Sequence, residues 1–466
     1  MSDTDSDVGH GFGARTRTRI RSTDTDSNLG RPESMMPLLR TCAPACLTGT
    51  ALAIAVAACS PTSSRLVASD AAITRDSAVD GSARDASRPT ADAGLHERDS
   101  GDVAPRDATT TLDALVDAAQ PTEASTPSHL IAYGSGYGPD IFVSSVEPST
   151  GALTVTQTLP AFGTSPSFLA VNPALTRLYA VDENTTGRVG AYSIAATTGA
   201  LTFLNAVSSG GQGPPFVSVD ATGTWVFVAN YGDGSVSVLP VQADGSLGAA
   251  TTTLSVGMNA HMIVADPSNR FVFVPCLGAD YIAQFSFDST TGALAPNATA
   301  PHVAAVTGAG PRHLAFHPNG RFAFVINETN STLVTYSFDA TLGTLAPVST
   351  VSTLPPGDSG TNTAAEVHVH PSGKWLLASN RGANDLVVFA IDSTTGALSS
   401  PQFTSSGGMT PRDFSLAPGG QLVYAANETT GNVVPFTFNA TSGALAATAS
   451  PTPVPSASFV GVIALP

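Results

Sequence analysis

One short phrase returns seven times along the last two-thirds of the chain, and it restricts the fold more than any other feature. It reads Ser149-Thr150-Gly151-Ala152-Leu153, Thr197-Thr198-Gly199-Ala200-Leu201, Ala243-Asp244-Gly245-Ser246-Leu247 and Thr290-Thr291-Gly292-Ala293-Leu294. It continues as Thr341-Leu342-Gly343-Thr344-Leu345, Thr394-Thr395-Gly396-Ala397-Leu398 and Thr441-Ser442-Gly443-Ala444-Leu445. Successive glycines stand 48, 46, 47, 51, 53 and 47 residues apart. A period of roughly 40–50 residues filled with short strand-like runs is the length of one propeller blade. Seven periods predict an all-β chain, a seven-bladed β-propeller with four-stranded blades. Such a ring carries its chemistry at one mouth of the central channel, which tells where in each period to look.

The rest of the chain divides by composition. Residues 1–34 are polar and rich in Thr, Asp, Ser and Arg; residues 35–59 contain an apolar run; residues 60–127 contain no Phe, Tyr or Trp. The last of these stretches cannot bury enough apolar surface to offset chain entropy, so a disordered linker is expected there. Residues 128–466 hold nearly all the aromatics and form the folded domain. A net charge of −16 argues against nucleic acid as a partner. Cys42 and Cys46 lie in the leader, Cys59 at its end and Cys276 in the domain, so the domain has one thiol and no internal disulfide or zinc-type cysteine pairing.

The leader itself carries a resemblance. Arg40 precedes the apolar run Leu47 to Ala58, which is too short and broken for a confident membrane span, and the run ends Val56-Ala57-Ala58-Cys59-Ser60. Small residues before a cysteine resemble a bacterial lipoprotein signal peptide, with Met35 or Met36 as an alternative start. That resemblance implies a lipidated Cys59 and an exported protein anchored to a membrane, facing the periplasm or the exterior. An ordinary secretory signal is the alternative. A monomer is expected.

Within a blade, residues 312–316 read as an inner strand, His317-Pro318-Asn319-Gly320 as a turn, and Phe322 to Ile326 as the returning strand. The domain has eight basic residues. Arg177, Arg270, Arg321 and Lys374 sit at or just after such turns, and their recurrence predicts a structural, solvent-facing role that His317 and His370 share. A hairpin brings its two ends together. Arg312 therefore falls beside Glu328, His261 near Cys276, Glu366 near Arg381 and Arg412 near Glu428, with Arg188 on the same face. Phe459 to Leu465 is expected to pair with His129 to Tyr133 and close the ring, which removes exposed sheet edges.

Three phrases resemble the seven-bladed lactonase family, which contains the propeller-type 6-phosphogluconolactonases and the carboxymuconate cycloisomerases. They are Gly310-Pro311-Arg312-His313 with Asn327-Glu328; Ala364-Ala365-Glu366-Val367 with Ser379-Asn380-Arg381-Gly382; and Pro411-Arg412-Asp413-Phe414 with Ala426-Asn427-Glu428. The resemblance implies a lactonase-like hydrolase acting on a small-molecule lactone or an anionic sugar derivative. Its catalytic positions fall on His261, Arg312, Glu328 and Arg381, and His313, Glu366 and Arg412 are candidates for holding substrate. The chain departs from the family twice. Met258-Asn259-Ala260-His261 stands where Pro-His-Ala-His is usual, and Cys276-Leu277-Gly278 where Asp-Leu-Gly is usual.

Opening a lactone needs an activated water and a stabilised oxyanion. Arg312 and Arg381 can hold an anionic group or the oxyanion, and Glu328 or His261 can act as general base. Against this, Glu328 has counterparts at Glu183 and Glu428 and Arg312 at Arg412, and repetition equally suits a structural role. His261 and Arg381 occupy their repeat positions alone. Asn230, Asn327, Asn380 and Asn427 recur and are read as strand-end caps, and His313 as a packed residue. No metal and no other cofactor is expected, since no three His or carboxylates stand at ligand spacing. A non-enzymatic exported propeller that binds a ligand or protein is the alternative from another class, and isomerisation of a muconate-type acid a third.

Overall fold

The recurrent phrase marks the turn between the third and outer strands of every blade. The computed structural model describes residues 129–358 and 360–466; the expectations for 1–34, 35–59 with Cys59, and 60–127 lie outside them. All seven phrase glycines have φ between 68° and 86°, a left-handed conformation that costs a Cβ-bearing residue about 1–2 kcal/mol. Crowding adds to this. A Cβ on Gly343 would lie 2.1 Å from the ring of Phe271 in the preceding blade. The phrase recurs because each turn must both reverse the chain and nest against a neighbour. The leucine that follows is buried in six of the seven copies, where it anchors the outer strand.

In six of the seven blades the inner, second, third and outer strands follow one another in sequence order. In the fifth blade these are Pro311–Phe316, Phe322–Asn327, Thr332–Asp339 and Thr344–Ser352. The fourth and seventh blades split the outer strand into two pieces, Ala293–Pro296 with His302–Ala304 and Leu445–Ala447 with Thr452–Pro453. Ring closure is as expected. Ala457–Leu465 supplies the inner strand of the first blade and pairs antiparallel with His129–Gly136, with His129 opposite Leu465 and Tyr133 opposite Gly461. Among the described residues the helical structure is a single 3-10 turn, Leu277–Ala279, and no helix is long and apolar enough to cross a membrane.

Second strands are covered on both faces by neighbouring blades, so they read as continuous apolar runs rather than alternating ones. Trp225–Asn230, Phe322–Asn327 and Leu422–Asn427 are buried at every position. The turns between inner and second strands lie at the same end of the ring as the recurrent glycine turns. There Arg177 Nη2 donates to Asp244 O at 2.9 Å and Arg270 Nη2 to Ala340 O at 2.6 Å, each reaching another blade. His317 and His370 do not face solvent. Both are buried, and their Nε2 atoms lie 2.8 and 3.2 Å from Gly373 O and Gly420 O of the following blade. Their turns are wedged between blades, and a buried imidazole there links one turn to the next.

Candidate active site

Two positions in each blade face the opposite mouth: the residue that follows the second strand and the first residues of the inner strand. The former set is Tyr137, Glu183, Tyr231, Leu277, Glu328, Arg381 and Glu428. Behind it, Asn380 and Asn427 are buried and donate from Nδ2 to Thr353 O and Ser406 O, tying the strand end to the preceding loop. The caps are structural, and they present the next side chain to the channel. A cavity of about 190 Å³ opens between these positions. Its walls are Glu183, Pro215, Tyr231, His261, Glu328, Arg381 and Arg412. A second, shallower groove shares Arg381 and Arg412 and is walled otherwise by Thr361, Asn362, Thr363, Gly382, Thr410 and Glu428.

Inner strands begin with β-bulges, which break the two-residue alternation and re-aim side chains. The register jumps between Pro311 and His313, between Ala364 and Val367, and between Pro411 and Asp413. That irregularity lets the adjacent residues Arg312 and His313 both turn toward the channel. Arg312 is 3% exposed. Its Nε lies 3.2 Å from Glu328 Oε2, and its Nη1 donates to Ala365 O at 2.6 Å. Arg381 Nη2 reaches the same Glu328 oxygen at 2.8 Å. Arg412 Nη1 lies 3.6 Å from Glu428 Oε2, and its guanidinium stands over the Tyr137 ring at 5.2 Å. Hairpin geometry thus places Arg312 with Glu328 and Arg412 with Glu428. Arg381, however, pairs with Glu328 of the preceding blade rather than with Glu366, because the bulge turns Glu366 down into the channel. Arg188 stands over Phe162 at 5.1 Å and is outside the cavity wall.

Charge states follow from these surroundings. Burial raises the Glu328 pKa, but Arg312 and Arg381 outweigh it and hold the carboxylate below its usual value. Burial drives His261 well below 6.5, and Arg312, His313, Arg412 and Arg381 push it further the same way, so its imidazole is neutral at neutral pH. Burial lifts Glu183 above the usual carboxylate range, with Ser167, Arg412 and Tyr137 offsetting part of the rise. Arg381 Nε and Glu183 Oε2 are buried without a hydrogen-bond partner, on two residues that line the cavity.

His313 and Glu366 lie beneath this cavity rather than in its wall. His313 Nδ1 is 2.7 Å from Glu366 Oε2, and His313 Nε2 is 3.2 Å from His261 Nδ1. The edges of Phe168 and Phe216 close on the His313 ring, with centroids 6.0 and 5.2 Å away. Folding also corrects the expectation that no three metal-binding groups assemble. Glu366, His368 and Asp413 bring ligand atoms within 4.8 Å of one another. The strand pleat and the contact between adjacent inner strands create that grouping, which linear spacing hides. These carboxylates are already engaged. Glu366 accepts from Val367 N and faces His313, and Asp413 Oδ2 accepts from Val460 N at 2.7 Å. Burial first and the Glu366 charge second raise Asp413 far above the usual range, so it carries the proton of the pair.

The two departures from the family phrases have local explanations. Cys276 is buried, with Sγ 3.4 Å from Val274 O, and burial pushes its thiol up to about 12; it packs the core below the mouth and is inert. Asn259 has φ 58°, a conformation asparagine tolerates, and its Nδ2 donates to Tyr231 O at 3.3 Å. Tyr231, Tyr137 and Pro215 were not singled out from sequence. The signal that finds the two tyrosines is positional: each follows the end of a second strand, as Glu328 and Arg381 do.

Residues 129–462 match the family model described as a seven-bladed β-propeller lactonase. A 6-phosphogluconolactonase of Pectobacterium carotovorum is 39% identical over 179 residues, which are 38% of this chain and 53% of that protein. One from Serratia proteamaculans is 31% identical over 249 residues, 53% of this chain and 73% of that protein. The chain thus spans about half the length of curated relatives such as the first. A periplasmic gluconolactonase from Pseudomonas aeruginosa superposes with a TM-score of 0.67 and 29% identity, covering 72% of this chain and 99% of that one.

Proposed function

Because the chain belongs to the seven-bladed β-propeller lactonase family, we propose that it hydrolyses a small lactone in the cavity between His261 and Arg381. One observation carries the reading: a buried arginine N–H without an acceptor shares a cavity wall with a neutral histidine. Water attacks the lactone carbonyl while His261 takes its proton. The carbonyl oxygen gains negative charge and receives the Arg381 Nε–H. The ring C–O bond then breaks, and the proton passes from His261 to the departing ring oxygen, giving the open hydroxy acid. Glu328 is a poor base because two guanidiniums hold it ionised and occupied; its role is to fix Arg312 and Arg381 in place.

Size and polarity suggest the substrate class. The cavity is smaller than the roughly 300–1,000 Å³ of drug-sized sites, as suits a single ring. The adjoining groove, with Arg381, Arg412 and threonine hydroxyls, suits a polar or anionic substituent such as a carboxylate or phosphate. The test is hydrolysis of 6-phosphogluconolactone and unphosphorylated sugar lactones by the purified protein, with spontaneous opening subtracted and His261→Asn run alongside. Turnover that collapses in the variant supports the reading, and the preferred lactone shows what the groove holds. A folded protein without turnover on any lactone would favour a ligand-binding propeller instead.

The site of action follows from the leader. The protein is exported and tethered through a lipid on Cys59, a reading supported by the sequence around Cys59 and by a structural relative that is periplasmic. Incorporation of labelled palmitate that persists in Cys59→Ser would refute the anchor.

A further inference from the structure

Resting on the hydrolytic reading, we infer that Glu366 and His313 are positioning residues: a buried pair that sets the tautomer of His261 and leaves its Nε2 bare toward the cavity. Proton counting leads there. Ionised Glu366 has acceptors only. Its Oε1 takes the Val367 N–H at 3.1 Å, and its Oε2, 2.7 Å from His313 Nδ1, places the proton on that nitrogen against the longer, 3.4 Å approach of the Arg312 Nη1 donor. A neutral imidazole has one N–H, so His313 Nε2 is an acceptor. Its partner at 3.2 Å is His261 Nδ1, which must donate. His261 is then left with an unprotonated Nε2, on the side of the ring away from His313. His261 lines the cavity, so the lone pair needed to deprotonate water faces the substrate.

The surroundings hold each member in the required state. Arg312 Nη1 lies 3.9 Å from Glu366 Oε2, His368 Nε2 lies 3.7 Å from Glu366 Oε1, and Asp413 takes the proton that two adjacent carboxyls share. Burial lowers His313 to about 4, partly offset by Glu366, so the middle ring stays neutral. Phe168 and Phe216 pack edge-on against that ring. During turnover the Nδ1 proton stays on His261. Nε2 receives the proton from water and returns it to the ring oxygen, and the transient positive charge on His261 is balanced through His313 by Glu366. The logic is that of an acid–histidine pair orienting a base, extended by one ring.

The test reads the tautomer directly. Long-range ¹H–¹⁵N spectra of the histidine-labelled full chain, with the His261 signals assigned by their loss in His261→Asn, report which ring nitrogen bears the proton. The wild type is expected to show His261 protonated at Nδ1. Glu366→Gln presents an amide N–H to His313, reverses the chain and is expected to move the His261 proton to Nε2. Turnover should fall by about 10²–10⁴-fold with KM changed less than about threefold. Where Glu366→Gln does not fold, His313→Gln and His313→Leu replace it. Gln keeps an acceptor for His261 Nδ1–H and should retain at least tenfold more turnover than Leu. His261 protonated at Nε2 in the wild type, or equal turnover in the two His313 variants, overturns the inference. Because the tautomer is read without substrate, an inactive wild type with the expected tautomer would count against the hydrolase and not against the positioning pair.

Discussion

Replacing Arg381 by methionine separates catalysis from binding and from stability. The side chain makes one ion pair, 2.8 Å from Nη2 to Glu328 Oε2, and keeps a buried Nε–H without a partner. If that N–H meets the oxyanion, its loss removes one preorganised donor. Such a donor supplies about 3–4 kcal/mol in the transition state, so kcat should fall about 10²–10³-fold. Charge stabilisation confined to the transition state leaves KM nearly unchanged. The structural cost is smaller. Glu328 keeps Arg312 at 3.2 Å, and its side chain is 21% exposed. The pair is therefore worth less than the ~3–5 kcal/mol of a fully buried one, about 1–2 kcal/mol. With an unfolding entropy near 2.1 cal/mol/K per residue over a domain of about 340 residues, the melting point should drop only about 1–3 °C. Activity is followed as acid released by lactone opening in a pH-stat, and folding by the thermal transition. Wild-type kcat with a raised KM would show that Arg381 holds the substrate's anionic group and not the oxyanion. Unchanged kcat and KM would refute the assignment of the site.

Three further outcomes are expected. Gly343 and Gly320 share φ 68°, but a Cβ meets Phe271 at 2.1 Å in the first and nothing within 4 Å in the second. Gly343→Ala should then cost about 2–4 kcal/mol in denaturant titration and Gly320→Ala about 1 kcal/mol, and equal costs would remove inter-blade crowding as the reason for the phrase. The acid limb of kcat/KM should lie well below pH 6.5. His261 works deprotonated, and burial, then Arg312, His313, Arg412 and Arg381, lower its pKa; activity persists as pH falls through 6.5 and is lost only below the depressed value. A limb at or above 6.5 would assign the base elsewhere. Glu328→Gln should destabilise the protein by about 1–3 kcal/mol at pH 7. The folded pKa is lowered, so the stabilisation exists above the ordinary value of 4.5 and disappears as pH falls through the folded one. Wild type and variant should converge in acid, and a difference independent of pH would mean packing rather than charge.

Much of the ring was legible because its signals are local. A glycine at positive φ is a demand made by its own turn, and Gly151 through Gly443 repeat it at blade intervals. Hairpin arithmetic placed Arg312 against Glu328 and Arg412 against Glu428, since an antiparallel pair needs only the turn position to fix its register. Closure by the last strand follows from the cost of free sheet edges. His317 and His370 are buried, against the solvent-facing expectation, because a turn in sequence looks exposed until the next blade covers it. Tyr231 was missed because it matches none of its charged counterparts in residue type, only in position.

By itself the sequence determined the number of blades, the strand order within each and the two positions per blade that face the mouth, all consequences of interactions within one period. Only the tertiary structure decided which of those residues act together. His313 meets Glu366 and His261 across 53 and 52 residues of chain, and Arg381 takes Glu328 rather than Glu366. Those partnerships depend on the angle at which neighbouring blades pack and on the bulges that re-aim Arg312, Glu366 and Arg412. The physical reason is that periodicity encodes each hairpin separately, whereas the charge network forms where seven hairpins converge on one axis.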